Sequence, residues 1–214
     1  TETDYLQDSK QFNFLENDLR SASVDSDIDW IIVFLHQPMY LGVIGSPENM
    51  HMEIVPLVDF RNVMQPLFDK YDVDLVLQGH RHSYERLNPL SFNSIVTDNA
   101  TSLYIDPPGQ IYVTVGTGGH SLYTNYGTVP QNVEEYLLQH ELHFGFLDIE
   151  LKDNGKRMQA KFKTNSEGVR DFFQICLPGK DLTKVDISKM DLSGINLSYA
   201  NLSGVDLSGK DLTG

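Results

Sequence analysis

Hydrophobic and polar positions over the first 90 residues predict a strand, a helix and a second strand. The run DWIIVFLHQP is apolar and predicts a strand buried on both faces that stops at Pro38. Apolar residues then recur at helical spacing over residues 56–69, with Pro56 suited to the first turn and Pro66 expected to kink or restart the helix. VDLVLQG predicts a second strand buried on both faces. This order predicts a right-handed crossover in a mostly parallel sheet.

The flanking regions complete a layered α/β domain over residues 1–178. Residues 11–20 place apolar side chains at helical spacing and predict a short amphipathic helix. After Leu90 a turn-rich stretch leads to the strand IYVTVGTGGH, and Asp153-Asn154-Gly155 predicts a hairpin between two alternating strands. DFFQICL is expected to complete an antiparallel edge. The domain is expected to end at Pro178-Gly179.

From Asp181 onward the period changes to five. Every fifth residue from Leu182 is Leu or Ile, which neither a helix nor a plain strand explains. The seven repeats resemble the pentapeptide-repeat family, and this resemblance implies a right-handed quadrilateral β-helix with Leu192, Leu197 and Leu202 inward. Residues 179–214 are therefore expected to begin a longer array that serves as a rigid spacer or as a surface for a protein partner.

Composition narrows the range of functions. The formal net charge of −14 opposes binding to nucleic acid or to an anionic membrane surface. The longest apolar runs are too short to cross a bilayer, so we expect no membrane insertion. A single cysteine, Cys176, excludes an internal disulfide.

Three histidines follow the two strands that are predicted to be parallel neighbours. His36 comes after the first strand, and His80 and His82 come after the second. The carboxyl ends of parallel strands meet at one edge of a sheet, where ligands collect, so His36 and His80 should lie close together. Imidazole at such an edge suggests a metal. A His-x-His pair can chelate one ion or give one nitrogen to each of two ions about 3.5–4 Å apart, and spacing alone does not decide.

Two motifs extend this hypothesis to a family. GHRHSYER resembles the last metal motif of calcineurin-like metallophosphoesterases in the form typical of purple acid phosphatases, and FLHQPMY is similar to the preceding motif. The resemblance covers about residues 5–176. It implies an α+β sandwich of the calcineurin-like phosphoesterase type, built around a dinuclear metal centre that hydrolyses phosphate esters by attack of a metal-bound hydroxide.

The resemblance also implies roles for individual residues. By position in the motifs, His36 and His80 would ligate the second metal and His82 the first. His51, in the loop that follows FLHQPMY, is the candidate catalytic residue that contacts the substrate and protonates the leaving group. The cofactors would be two metal ions chosen from Fe, Zn and Mn, the substrate a small phosphate ester, and the location extracellular or at the cell surface. His120, after the glycines of GTGGH, could border the same pocket.

The chain departs from the family at the other metal motifs. Asp-x-His, Gly-Asp-x-x-Tyr and Gly-Asn-His-Glu do not occur in the sequence, so three imidazoles would lack the bridging carboxylate. We expect a chain truncated at both ends: the carboxy-terminal half of a phosphatase, inactive alone, followed by the start of a repeat domain. The alternative is a non-catalytic scaffold with a vestigial phosphatase half and a repeat surface that binds a partner.

Overall fold

The structure, a computed structural model, describes residues 5–25, 27–41, 50–96, 102–122, 136–177 and 202–212, and for residues 50–57 it describes the backbone only. The chain divides into two compact units. The first comprises residues 1–96 and 108–144, and the second comprises residues 97–107 and 145–214. No helix among the described residues is long and apolar enough to cross a membrane.

Within the described residues, the first unit holds two helices and a five-stranded sheet. The helices are α1 (Lys10–Val24) and α2 (Met50–Lys70). The strands of the sheet, in chain order, are β1 (Ile32–Leu35), β2 (Leu75–Gln78), β3 (Tyr84–Leu87), β7 (Ile111–Val115) and β8 (Leu137–Glu141), and a small hairpin joins β4 (Leu90–Ser91) to β5 (Ser94–Ile95).

The sheet of the first unit is mixed rather than mostly parallel. Its order is β1-β2-β7-β3-β8, in which β1, β2 and β7 run parallel and β3 is antiparallel to β7 and β8. The predicted strand–helix–strand crossover is confirmed, because β1 and β2 are parallel neighbours that flank α2 in sequence. The carboxyl ends of β1, β2 and β7 therefore share one edge of the sheet.

The prediction that β1 is buried on both faces is wrong. β1 lies at the edge of the sheet with β2 as its neighbour, and Phe34 is 73% exposed. β2 lies inside the sheet, and three of its four residues are buried, as predicted. The two runs look alike in sequence because apolar content does not report which strand lies at an edge.

The first helix agrees with its prediction and the second is longer than predicted. Ser9 caps α1 by accepting a hydrogen bond from the Phe12 N–H at 3.1 Å, and the buried face of α1 includes Phe12 and Leu19. α2 begins at Met50, so Pro56 does not lie in its first turn, and α2 continues through Pro66 without a restart. His51 consequently lies in a helix and not in a loop, and its side chain falls outside what the structure describes.

The second unit contains a four-stranded sheet. Its strands are β6 (Leu103–Ile105), β9 (Gly145–Lys152), β10 (Arg157–Thr164) and β11 (Gly168–Cys176), in the order β6-β11-β10-β9. The predicted hairpin is confirmed, since β9 and β10 pair antiparallel on either side of Asp153-Asn154-Gly155. The prediction that DFFQICL forms an edge is wrong, because β6 pairs with β11 in parallel and places it inside the sheet.

The described part of the repeat region shows a turn that recurs every five residues. The Val205 N–H donates to the Leu202 carbonyl at 3.0 Å, and the Lys210 N–H donates to the Leu207 carbonyl at 3.1 Å. Gly204 and Gly209 hold the third position of these turns at φ values of 75° and 72°, which glycine adopts without strain. Leu192, Leu197 and the boundary at residues 178–179 lie outside the described residues.

Candidate functional site

The backbone brings His36 and His80 together at the carboxyl edge of the first sheet. His36 follows β1 directly, and His80 lies two residues beyond β2, whose Gln78 is in register with Leu35. The Gly79 N–H donates to the His36 carbonyl at 3.2 Å and so continues the parallel pairing beyond the strands. His80 then takes a left-handed conformation, with φ 62°, at the turn that follows.

The two imidazoles are close enough to act on the same ligand. His36 Nε2 and His80 Nδ1 lie 3.3 Å apart, and the ring planes cross at 81°. Both side chains are exposed to solvent. The sequence prediction that these two histidines converge is therefore met by their geometry.

His82 and His120 form a second imidazole pair. Their ring centroids are 4.1 Å apart and the rings are tilted by 36°. His82 is half-buried and His120 is exposed. His120 follows β7, which is the neighbour of β2, so the sheet order explains how a residue far along the chain reaches the His80-x-His82 segment.

The described residues do not contain a complete set of metal ligands. No group of three or more His, Cys, Asp or Glu side chains within the described ranges could hold a metal ion. The structure thus pairs His36 with His80 and His82 with His120, and the metal roles of His36, His80 and His82 stay a prediction.

The His36–His80 pair nevertheless fits one metal ion. Two imidazole nitrogens bound to a tetrahedral zinc at about 2.0–2.1 Å lie about 3.3 Å apart, which matches the observed separation. A hydrogen bond between the rings fits the same distance when no metal is bound. The observed separation is therefore compatible with metal binding and with direct pairing of the two imidazoles.

The residues that follow the His-x-His segment are buried in β3. Tyr84 and Glu85 are fully buried, and the Ser83 hydroxyl donates to Glu85 Oε1 at 2.9 Å. Glu85 also pairs in register with His140 of β8. Burial lowers the pKa of His140, an effect that the charges of Glu85 and Glu141 oppose. These contacts indicate that Tyr84 and Glu85 pack behind the histidine segment and support it.

Sequence reasoning missed the residues that hold the strand ends together. Gln78, 3% exposed, accepts a hydrogen bond from the Met39 N–H at 2.6 Å and donates to the Tyr40 carbonyl and to Thr114 Oγ1, each at 3.2 Å. Gly116 lies against the backbone of Arg81. The available signals in the sequence were the glutamine that ends VDLVLQ and the glycine that ends IYVTVG.

The chain has a mixed α/β fold like that of the purple acid phosphatases. Its homologues are purple acid phosphatases, and the resemblance predicted from GHRHSYER is confirmed. A probable inactive purple acid phosphatase 1 of Arabidopsis thaliana is 31% identical over 188 residues, which cover 85% of this chain and 28% of that protein. Purple acid phosphatase 1 of Ipomoea batatas is 32% identical over 118 residues, which cover 55% of this chain and 23% of that protein.

A solved structure supports the same fold. The purple acid phosphatase from yellow lupin (Lupinus luteus) seeds superposes with a TM-score of 0.69 and 26% sequence identity, covering 81% of this chain and 29% of that chain. The chain thus spans about a quarter of the length of the relatives it matches. Two further Arabidopsis relatives are, like the first, named probable inactive purple acid phosphatases.

The repeat region matches a family model of its own. The model described as pentapeptide repeats matches residues 181–214 in eight copies, whereas the sequence pattern had suggested seven. The repeats are therefore confirmed, and the β-helix that they would form stays a proposal.

Proposed function

We propose that this chain supplies the histidine side of the metal centre in a metal-dependent phosphatase that acts on small phosphate esters. The observation that carries the proposal is the 3.3 Å approach of His36 Nε2 to His80 Nδ1 at the carboxyl edge of a sheet like that of purple acid phosphatases. Residues 1–178 would form the phosphatase part, and an extracellular or cell-surface location stays a prediction from the family.

The proposed roles of the residues follow from their positions relative to the family's sequence motifs. His36 and His80 would hold one metal ion and His82 a second. The family resemblance implies Fe, Zn or Mn, and of these imidazole suits Fe and Zn best. When bound, the metal supplies positive charge that polarises a phosphoryl oxygen. His51 would lie against the substrate and protonate the leaving group.

The carboxylates that complete a two-metal centre would come from outside these 214 residues. None of the motifs Asp-x-His, Gly-Asp-x-x-Tyr and Gly-Asn-His-Glu occurs in the chain. We therefore expect the chain to bind Zn²⁺ weakly and not to hydrolyse phosphate esters, because imidazoles alone supply no bridging oxygen between two cations.

The test compares three proteins in p-nitrophenyl phosphate hydrolysis with added metals. These are the 214-residue chain, a version extended upstream by sequence that carries the carboxylate motifs, and that version with His80→Ala. We expect turnover only by the extended protein with His80 intact. Metal-dependent turnover by the chain alone would refute the need for added carboxylates, and equal activity with and without His80 would remove this histidine from the mechanism.

A non-catalytic scaffold is the second candidate. It is supported by the relatives named probable inactive and by the missing motifs. In this case the repeats, folded as a β-helix, would bind a protein partner. An extended protein with intact metal binding and no turnover would favour the scaffold. If the repeats form a β-helix with an incomplete second coil, hydrogen exchange should show the Leu192 amide more protected than the amides near Gly214.

A further inference from the structure

Gly116 lies at the point where β7 reaches the segment that carries His80 and His82. β3 and β7 pair in register up to Tyr84 and Val115. The Gly116 N–H extends this pairing by donating to the Ser83 carbonyl at 3.1 Å. The backbone of Gly116 is therefore tied directly to the end of the His80-x-His82 segment.

The space beside Gly116 has no room for a side chain. A Cβ at this position would lie 1.6 Å from the Arg81 carbonyl oxygen and 3.3 Å from the His82 Cα. Non-bonded heavy atoms prefer separations of about 3.5–4.0 Å, so the Arg81 carbonyl would have to move by about 1.5 Å or more. The obstacle is backbone, which no side-chain rotation can relieve, and the φ of Gly116 lies outside the left-handed range. The requirement for glycine is thus one of space.

The histidine segment has little freedom to move away. The Arg81 N–H donates to the Gly79 carbonyl at 2.7 Å, and His80 is held at a positive φ. Arg81 is 2% exposed and Ser83 is fully buried. A shift of the Arg81 carbonyl would therefore turn the peptide units on either side, which carry His80 and His82.

We propose that Gly116 is a positioning residue for His80 and His82. Its missing side chain lets β7 contact the Arg81 backbone, and this contact sets how His80 approaches His36 and how His82 packs on His120. The inference deepens the proposed function, on which its consequence for metal binding depends, but the placement of the imidazoles is open to a test of its own.

Three glycine-to-alanine variants of the full chain separate positioning from general stability. Gly116→Ala adds the clash beside the histidines. Gly118→Ala lies two residues away, where an added Cβ meets nothing within 4 Å. Gly109 precedes the opposite end of β7, and a Cβ added there would lie 2.5 Å from the Leu90 carbonyl oxygen. Gly109→Ala therefore introduces a backbone clash next to the same strand but away from the histidines.

The readouts are the NMR signals of the histidine ring nitrogens without metal, and Zn²⁺ affinity by calorimetry. We expect Gly116→Ala to shift the His80 and His82 ring signals and to weaken Zn²⁺ binding by about 10–100-fold, the loss usual when the support of a metal ligand is removed. Gly118→Ala should change neither. Gly109→Ala should lower the melting temperature while leaving the ring signals and the affinity as in the wild type.

The outcomes distinguish this inference from the proposed function. A wild-type chain that binds no Zn²⁺ would defeat the metal site, and the ring signals would still decide whether Gly116 positions the histidines. Unchanged ring signals in Gly116→Ala, or equal changes in Gly109→Ala, would overturn the inference. If Gly116→Ala does not fold, hydrogen exchange of the wild-type Gly116 amide tests the inference instead. Protection like that of the β7 amides supports the positioning role of Gly116, and rapid exchange overturns it.

Discussion

At the scale of single residues, Gln78 links three segments of the site with one side chain. Its amide contacts the backbone of Met39 and Tyr40, just beyond His36, and the hydroxyl of Thr114 on β7. Gln78 itself lies two residues before His80. The segment after β1, the end of β2 and the neighbouring strand are therefore held in one hydrogen-bonded unit.

Replacing Gln78 by leucine should destabilise the chain by about 2–3 kcal/mol, because buried backbone and hydroxyl groups would lose their partner. Urea unfolding followed by circular dichroism measures this change. Gln11→Leu on the exposed face of α1 is the matched control, and it should stay within about 0.5 kcal/mol of the wild type. Equal midpoints for the two variants would show that the Gln78 bonds contribute nothing to stability.

Tyr40 is a buried tyrosine near the site, and its burial affects its pKa. Its ring lies against Tyr112, with centroids 4.8 Å apart, and its hydroxyl accepts a hydrogen bond from the Asn93 N–H at 3.1 Å. Burial raises the pKa of Tyr40 to about 12, although the hydrogen bond from Asn93 and the charge of Arg61 oppose the shift. Burial also raises the pKa of Tyr112 well above its usual value.

The chain should therefore lose stability in alkali. An unfolded tyrosine releases its proton near pH 10 while Tyr40 keeps it, so the stabilisation is complete below pH 10 and is lost as pH rises towards 12, by at most about 2–3 kcal/mol. Urea unfolding at neutral pH and above pH 10 tests this, with tyrosinate absorbance as a reporter. Tyr40→Phe should show a weaker alkaline loss, and an unchanged loss would contradict the assignment to Tyr40.

At the scale of helices and strands, sequence patterns predicted the elements that are specified by local sequence signals. α1, the crossover β1–α2–β2, strand β7 and the β9–β10 hairpin agree with their predictions because amphipathic spacing, buried aliphatic runs and an Asp-Asn-Gly turn act locally. The approach of His36 to His80 followed from the same reasoning, since parallel strands end together.

These sequence patterns did not predict which distant segments of the chain pair as strands. β3 begins at the end of the GHRHSYER motif, where buried charged and aromatic residues do not give a strand pattern. Its placement beside β7 depends on residues distant in the chain, as in the pairing of Tyr84 with Val115. The edge position of β1 and the interior position of β11 have the same cause. The approach of Gly116 to Arg81 likewise exists only once β7 lies beside the histidine segment.

Helix α1 offers a direct test of packing within the first unit. Phe12 is 8% exposed and belongs to the hydrophobic core, whereas Phe14, two residues along the same helix, is 71% exposed. Phe12→Ala should cost about 3–5 kcal/mol of stability because it leaves a cavity, and Phe14→Ala should stay within about 0.5 kcal/mol of the wild type. Chemical unfolding of both variants measures the difference, and equal losses would contradict the orientation of α1.

At the scale of the whole molecule, the net charge of −14 sets a condition on any phosphate chemistry. A chain with this charge repels anions at long range. A phosphate ester would bind weakly unless positive charge is added at the site. Metal ions held by the histidines would supply it.

We therefore expect phosphate binding to depend on metal. Calorimetry should detect inorganic phosphate binding to the full chain with Zn²⁺ present and little or none without it, because the bound cation reverses the local charge. His80→Ala should abolish the zinc-dependent part, since it removes one of the two nitrogens that lie 3.3 Å apart. His143→Ala, a histidine that contacts Glu141 on β8, is the control and should preserve it. Equal phosphate affinity with and without Zn²⁺ would show that anion binding needs no metal and lies elsewhere on the chain.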